Sequence, residues 1–153
     1  MPSVTLSSTC RVTRLSSRKD PHHIVKILLI DDEPDLRRIA TLSLSRLGGM
    51  DVLDAGDPEE GLALALRERP DGILLDVMMP EMDGPALLAR LRANPGVCDI
   101  PVIFLTANVM PAEIARLRAL GAAGVLTKPF DPTALPADVR RILQDVRTVA
   151  AGN

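Results

Sequence analysis

What most constrains the fold of this chain is a strict alternation, from Val25 onward, of short aliphatic runs and longer segments with helical spacing. Residues 25–30 are apolar almost without interruption, which marks a strand buried on both faces. Pro34 opens a segment in which Leu36, Ile39, Ala40, Leu44 and Leu47 recur at helical intervals, and Gly48-Gly49 ends it. A second strand over 51–55 leads into Asp57, Pro58 and Glu60, which supply a cap, a first-turn proline and a capping-box-like acid. Leu62, Leu64 and Leu66 alternate there as in a strand, but the cap and the interleaved alanines decide for a helix. The third strand, 72–75, runs into Asp76, and a helix with Leu87, Leu88 and Leu91 on one side follows. A strand over 101–105, a helix over 111–120 and a strand over 124–127 continue the pattern. Asp131-Pro132 opens the last helix, with a stripe of Leu135, Val139, Ile142, Leu143 and Val146; Pro136 is expected to disturb its first turn.

Alternation of this kind folds into a parallel sheet covered by helices on both faces, and such sheets bind ligands at the carboxyl ends of their strands. Those ends carry Asp31 and Asp32, Asp76, Thr106 and Lys128. Three carboxylates in one cleft repel one another unless a cation or a proton intervenes. A hard, oxygen-seeking Mg²⁺ fits that donor set, and no His or Cys cluster favours zinc. Asp76, central in the set, reads as a nucleophile of the acyl-phosphate kind, with Lys128 and Thr106 addressing the phosphoryl oxygens.

Composition narrows the class further. A chain of 153 residues has room for one domain, and the expected division is an extension over 1–23, a domain over 24–147 and a short tail over 148–153. Net charge is −2, and Phe104 and Phe130 are the only aromatic residues, so a nucleic-acid partner is not expected. No apolar run approaches the roughly 20 residues of a membrane span; neither a membrane nor a secretory address is expected, and the setting reads as cytoplasmic. Cys10 and Cys98 read as isolated free thiols.

Four motifs, in this order and spacing, resemble the receiver domains of bacterial response regulators. They are the run from Ile27 to Pro34 with its Asp31-Asp32-Glu33, the run from Leu74 to Gly84 around Asp76, then Pro101-Val102-Ile103-Phe104-Leu105-Thr106-Ala107, and Lys128-Pro129-Phe130. The resemblance implies a flavodoxin-like (βα)5 fold with strand order 2-1-3-4-5. It also implies phosphoryl transfer to Asp76 from a sensor histidine kinase or a histidine phosphotransfer protein. Mg²⁺ would be held by Asp31, Asp32, Asp76 and the backbone carbonyl of Met78, whose side chain points away. Lys128 would pair with the phosphoryl group across a cis Lys128-Pro129 bond. Val125 departs from the family, which usually places an aromatic residue there, while Met78 and Asn108 occupy positions that tune phosphoryl lifetime.

A stand-alone switch, not a turnover enzyme, is expected, and it would signal to a downstream protein effector. Its output face is formed by the fourth helix, fifth strand and fifth helix, through which a homodimer is also expected. A phosphoryl carrier or sink in a relay is the alternative. A phosphatase with an aspartyl nucleophile would place a second acid where Met78 stands, and a degenerate receiver would not keep the full acidic, Thr and Lys set.

Overall fold

The computed structural model describes residues 23–152. Strands β1 (Lys26–Ile30), β2 (Asp51–Ala55), β3 (Gly72–Asp76), β4 (Val102–Thr106) and β5 (Gly124–Thr127) form one parallel sheet in the order β2-β1-β3-β4-β5. This is the flavodoxin-like order expected. Ile30 lies opposite both Ala55 and Leu75, Asp76 opposite Leu105, and Thr106 opposite Thr127. The strands therefore end nearly level, and the residues at their carboxyl ends open onto one rim.

The helices are α1 (Pro34–Leu42), continued by a π-helical turn over Ser43–Leu47, α2 (Pro58–Glu68), α3 (Gly84–Arg92), α4 (Pro111–Ala119) and α5 (Leu135–Gly152). Successive strand residues face opposite ways, which splits the core in two. On one side Leu28, Ile30, Ile73, Leu75 and Phe104 pack against Ala65, Leu87, Leu91 and Leu117 of α2 to α4. On the other, Ile27, Leu29, Leu74, Ile103 and Leu105 pack against Ala40, Leu44, Val139 and Leu143 of α1, its π-helical continuation and α5. Each large aliphatic side chain removed from water in this way contributes about 1.5–3 kcal/mol.

Local signals explain most element starts. The Asp57 carboxylate accepts the Glu60 N–H at 2.8 Å, and Glu60 accepts from the Gly56 N–H at 3.1 Å, so α2 opens on a reciprocal cap. This decides the Leu62, Leu64, Leu66 ambiguity in favour of helix. Gly49, at φ +66, takes the left-handed conformation after the π-helical turn.

The last helix begins later than the sequence indicates. Asp131 accepts from the Thr133 hydroxyl and N–H, which shapes a separate turn, and α5 starts only at Leu135. Pro136 has no N–H to give the carbonyl four residues back, and that carbonyl, on Pro132, accepts the buried Ser43 hydroxyl instead. At its far end α5 runs to Gly152, through the residues read as a tail. Cys98 is nearly buried and is not a free thiol, which corrects the sequence reading, while Cys10 and residues 1–22 lie outside the described residues. Among the described residues no helix is long and apolar enough to cross a membrane.

Candidate functional site

The sheet brings every expected side chain to its carboxyl rim. Asp31 follows β1 and is fully buried; Asp76 ends β3 at 4% exposure; Thr106 ends β4 and is buried; Lys128 follows β5. Carboxylate oxygens of Asp31, Asp32 and Asp76 lie within 4.8 Å of one another.

Asp31 is held at nearly all its polar atoms. Its N–H donates to the Ala55 carbonyl at 3.1 Å, and its own carbonyl accepts from the Arg37 guanidinium at 2.8 Å. Its Oδ1 accepts the Glu33 N–H at 2.8 Å. Oδ2 is the exception: it has no hydrogen bond, although the Lys128 ammonium sits 3.1 Å away as an ion pair. A buried carboxylate oxygen with an unused acceptor is what a hard cation would complete, so the donor set fits Mg²⁺.

Lys128 stands among carboxylates. Its Nζ is 3.1 Å from Asp76 Oδ1, 3.1 Å from Asp31 Oδ2 and 3.5 Å from Glu33 Oε1. Burial pulls its pKa down, but the hydrogen bond to Asp76 and the negative charges of Asp76 and Asp31 outweigh this and raise it. The peptide bond to Pro129 is cis, as expected.

Both hydrogen bonds to the Asp76 carboxylate fall on Oδ1, from Lys128 and from the Met78 N–H at 3.3 Å. Burial pushes the Asp76 carboxyl up to about 6 and the Asp31 charge adds to it, with Lys128 and Met78 opposing. Like charges confined together produce this effect, and a divalent cation would relieve it. The Met78 side chain is 77% exposed, as the sequence reading requires if only its main chain serves the site.

The structure does not join Thr106 to Asp76. Its hydroxyl accepts the Asn108 N–H at 3.0 Å and faces the Asn108 carbonyl at 3.5 Å. The site also includes groups to which the sequence reading gave no role. Glu33 reaches Lys128, and Arg37 grips the Asp31 carbonyl while donating to Asp54 at 3.1 Å. Gly84 allows α3 to start against the site, because a Cβ there would lie 2.6 Å from the Asp76 carbonyl oxygen and 2.9 Å from Phe104. The glycine following the Asp83 cap was a visible signal for this last contact. Nothing in local spacing ties Arg37 to Asp54.

Cavities lie at both ends of the sheet. One, of about 220 Å³, lies by the amino ends of the strands among His23, Asp71, Pro101 and Arg140, remote from the acidic rim. The other, of about 200 Å³, adjoins Asp32 between Gly56, Pro58 and Met79. The chemistry concentrates at the rim, not in the first cavity.

The fold and much of the sequence are shared with known proteins. The response regulator receiver domain family matches residues 27–140. A probable transcriptional regulator, ycf27, of Porphyridium aerugineum is 40% identical over 128 residues, covering 84% of this chain and 52% of the relative. The DNA-binding dual master transcriptional regulator RpaA of Synechocystis is 40% identical over 119 residues, covering 78% of this chain and 49% of the relative. This chain thus spans about half the length of these curated relatives. Their names do not bear out the expectation of no nucleic-acid partner. The solved chemotaxis protein CheY4 of Vibrio cholerae superposes with a TM-score of 0.73 at 32% identity, covering 78% of this chain and 99% of that one. With the motif order, the strand order and the acidic rim all in agreement, this chain belongs to the response regulator receiver domain family.

Proposed function

We propose that this chain is a phosphorylation switch of two-component signalling that accepts a phosphoryl group on Asp76. The observation that carries the reading is the division of labour on that carboxylate: Oδ1 takes both hydrogen bonds, which leaves Oδ2 for attack. An Oδ2 lone pair forms the new O–P bond as the P–N bond of a donor phosphohistidine breaks, and the bonding pair returns to the imidazole. Lys128, already 3.1 Å from Asp76, meets the added negative charge. Thr106 is close along the rim and would exchange its Asn108 contact for a phosphoryl oxygen. Asp31, Asp32, Asp76 and the Met78 carbonyl would hold Mg²⁺, which neutralises charge on the transferring group.

The donor is a sensor histidine kinase or histidine phosphotransfer protein, and the recipient of the signal is a downstream protein effector. The chain accepts and slowly loses its phosphoryl group and does not act as a turnover enzyme. A carrier or sink without conformational output is the second reading. It is favoured by Val125, a half-buried aliphatic residue packed against the core where the family usually has an aromatic ring.

Intact mass after incubation with acetyl phosphate tests the proposal. The expected result is a gain of one phosphoryl group that requires Mg²⁺ and is lost in Asp76→Asn. No gain in a folded chain with Mg²⁺ present would overturn it.

A further inference from the structure

We propose that Arg37 is a positioning residue for the metal-binding loop, holding Asp31 so that its carboxylate is presented to the cation. The proposal rests on the Mg²⁺ reading above and adds to it a residue outside the carboxylate set.

Arg37 projects from the first turns of α1 and is about one-fifth exposed. One arm of its guanidinium, Nη1, donates to the Asp31 carbonyl at 2.8 Å; the Nε edge donates to Asp54 on β2 at 3.1 Å. Gly56 closes the third side, since a Cβ there would stand 3.0 Å from Nη1. The group is therefore braced by two acceptors and a backbone wall, and a planar fork suits this where a flexible ammonium does not. With the Ala55 carbonyl and the Glu33 N–H, Arg37 completes the set that fixes Asp31. Second-layer contacts of this kind orient ligands, and their loss typically lowers metal affinity about 10–100-fold.

Electrostatics alone predict the opposite sign. Arg37 is a cation beside a cation site, so removing it should tighten Mg²⁺ binding if charge were its only influence. Positioning predicts loosening. The two accounts separate without any assumption about magnitude.

The experiment is calorimetric titration of the full chain with Mg²⁺, with thermal unfolding measured in parallel in metal-free buffer. Arg37→Ala should weaken Mg²⁺ binding by about tenfold. Arg37→Lys keeps the charge but not the fork and should remain weak by a similar factor. Arg38→Ala removes the neighbouring exposed charge and should leave affinity unchanged or slightly tighter. If Arg37→Ala does not fold, Arg37→Lys decides, since charge alone predicts no change for it. Wild-type affinity, or tighter, in folded Arg37 variants would overturn the positioning role while leaving the site reading intact. Absence of Mg²⁺ binding in the wild type would overturn both.

Discussion

Helices α3 and α4 have the same length and each carries a proline in its first turn, yet they are anchored very differently. The Asp83 carboxylate caps α3 by accepting the Ala86 N–H at 2.9 Å, and the helix buries Leu87, Leu88 and Leu91. Met110 occupies the cap position of α4 with no side-chain bond, and only Leu117 is buried. Val109 and Met110, at its entry, are 58% and 63% exposed. At about 1.5–3 kcal/mol per buried large side chain, α3 is held several kcal/mol more firmly. Fixed charges need an unyielding support, so the helix after Asp76 is bolted down. The helix after Thr106 has fewer such anchors, and lower local stability is expected there.

The sharpest test removes one leucine from each. Leu87→Ala should lower global stability by about 2–5 kcal/mol in urea unfolding. Leu117→Ala should show its greatest effect in native-state hydrogen exchange, with α4 amides losing protection before those of α3. Equal protection of the two helices in the wild type would break the comparison.

A smaller effect concerns the charges that the firm end supports. The folded Asp76 carboxyl, at about 6, lies above its unfolded value of about 3.9. The folded state therefore binds more protons between these values, and stability should fall as pH rises through that window. Asp76→Asn lacks this titration. In EDTA its advantage over wild type should grow from pH 4 to pH 7.5, reaching roughly 1–2 kcal/mol once partial solvent screening is allowed for. An advantage that shrinks over that range would refute charge crowding as the cause.

The smallest effect should come from giving α4 the cap it lacks. Met110→Ser places a hydroxyl where it can accept the Glu113 N–H, a helix cap worth about 0.5–1 kcal/mol. Protection of α4 amides should rise toward that of α3, and unchanged exchange would show that packing, not the cap, limits this helix.

Much of this was readable in the sequence because the signals were local. The apolar runs of β1, β3 and β4, the Asp57 cap and the acids at the ends of β1 and β3 depend on neighbours within a few residues. Strand order then brought distant acids together. What escaped notice depended on contacts across the fold. Arg37 meets Asp54 across 17 positions, and Lys128 meets Glu33 across 95. The opening of α5 was misplaced because Asp131 and Pro132 resemble a helix start, while Thr133 turns Asp131 to a separate purpose. The chemistry of Thr106 was half legible: its place on the rim was evident, but its engagement with Asn108 was not.

The Ser43 hydroxyl that receives no notice in any motif links two distant parts of the polypeptide. Because Pro136 leaves the Pro132 carbonyl without its helical donor, positions 43 and 136 form a compensating pair. A sequence that regained an N–H at 136 would no longer need a hydroxyl at 43, whereas one that kept the proline would be constrained there. The two positions should therefore drift together during descent, and a designer who alters the π-helical turn after α1 must consult the loop that carries Lys128.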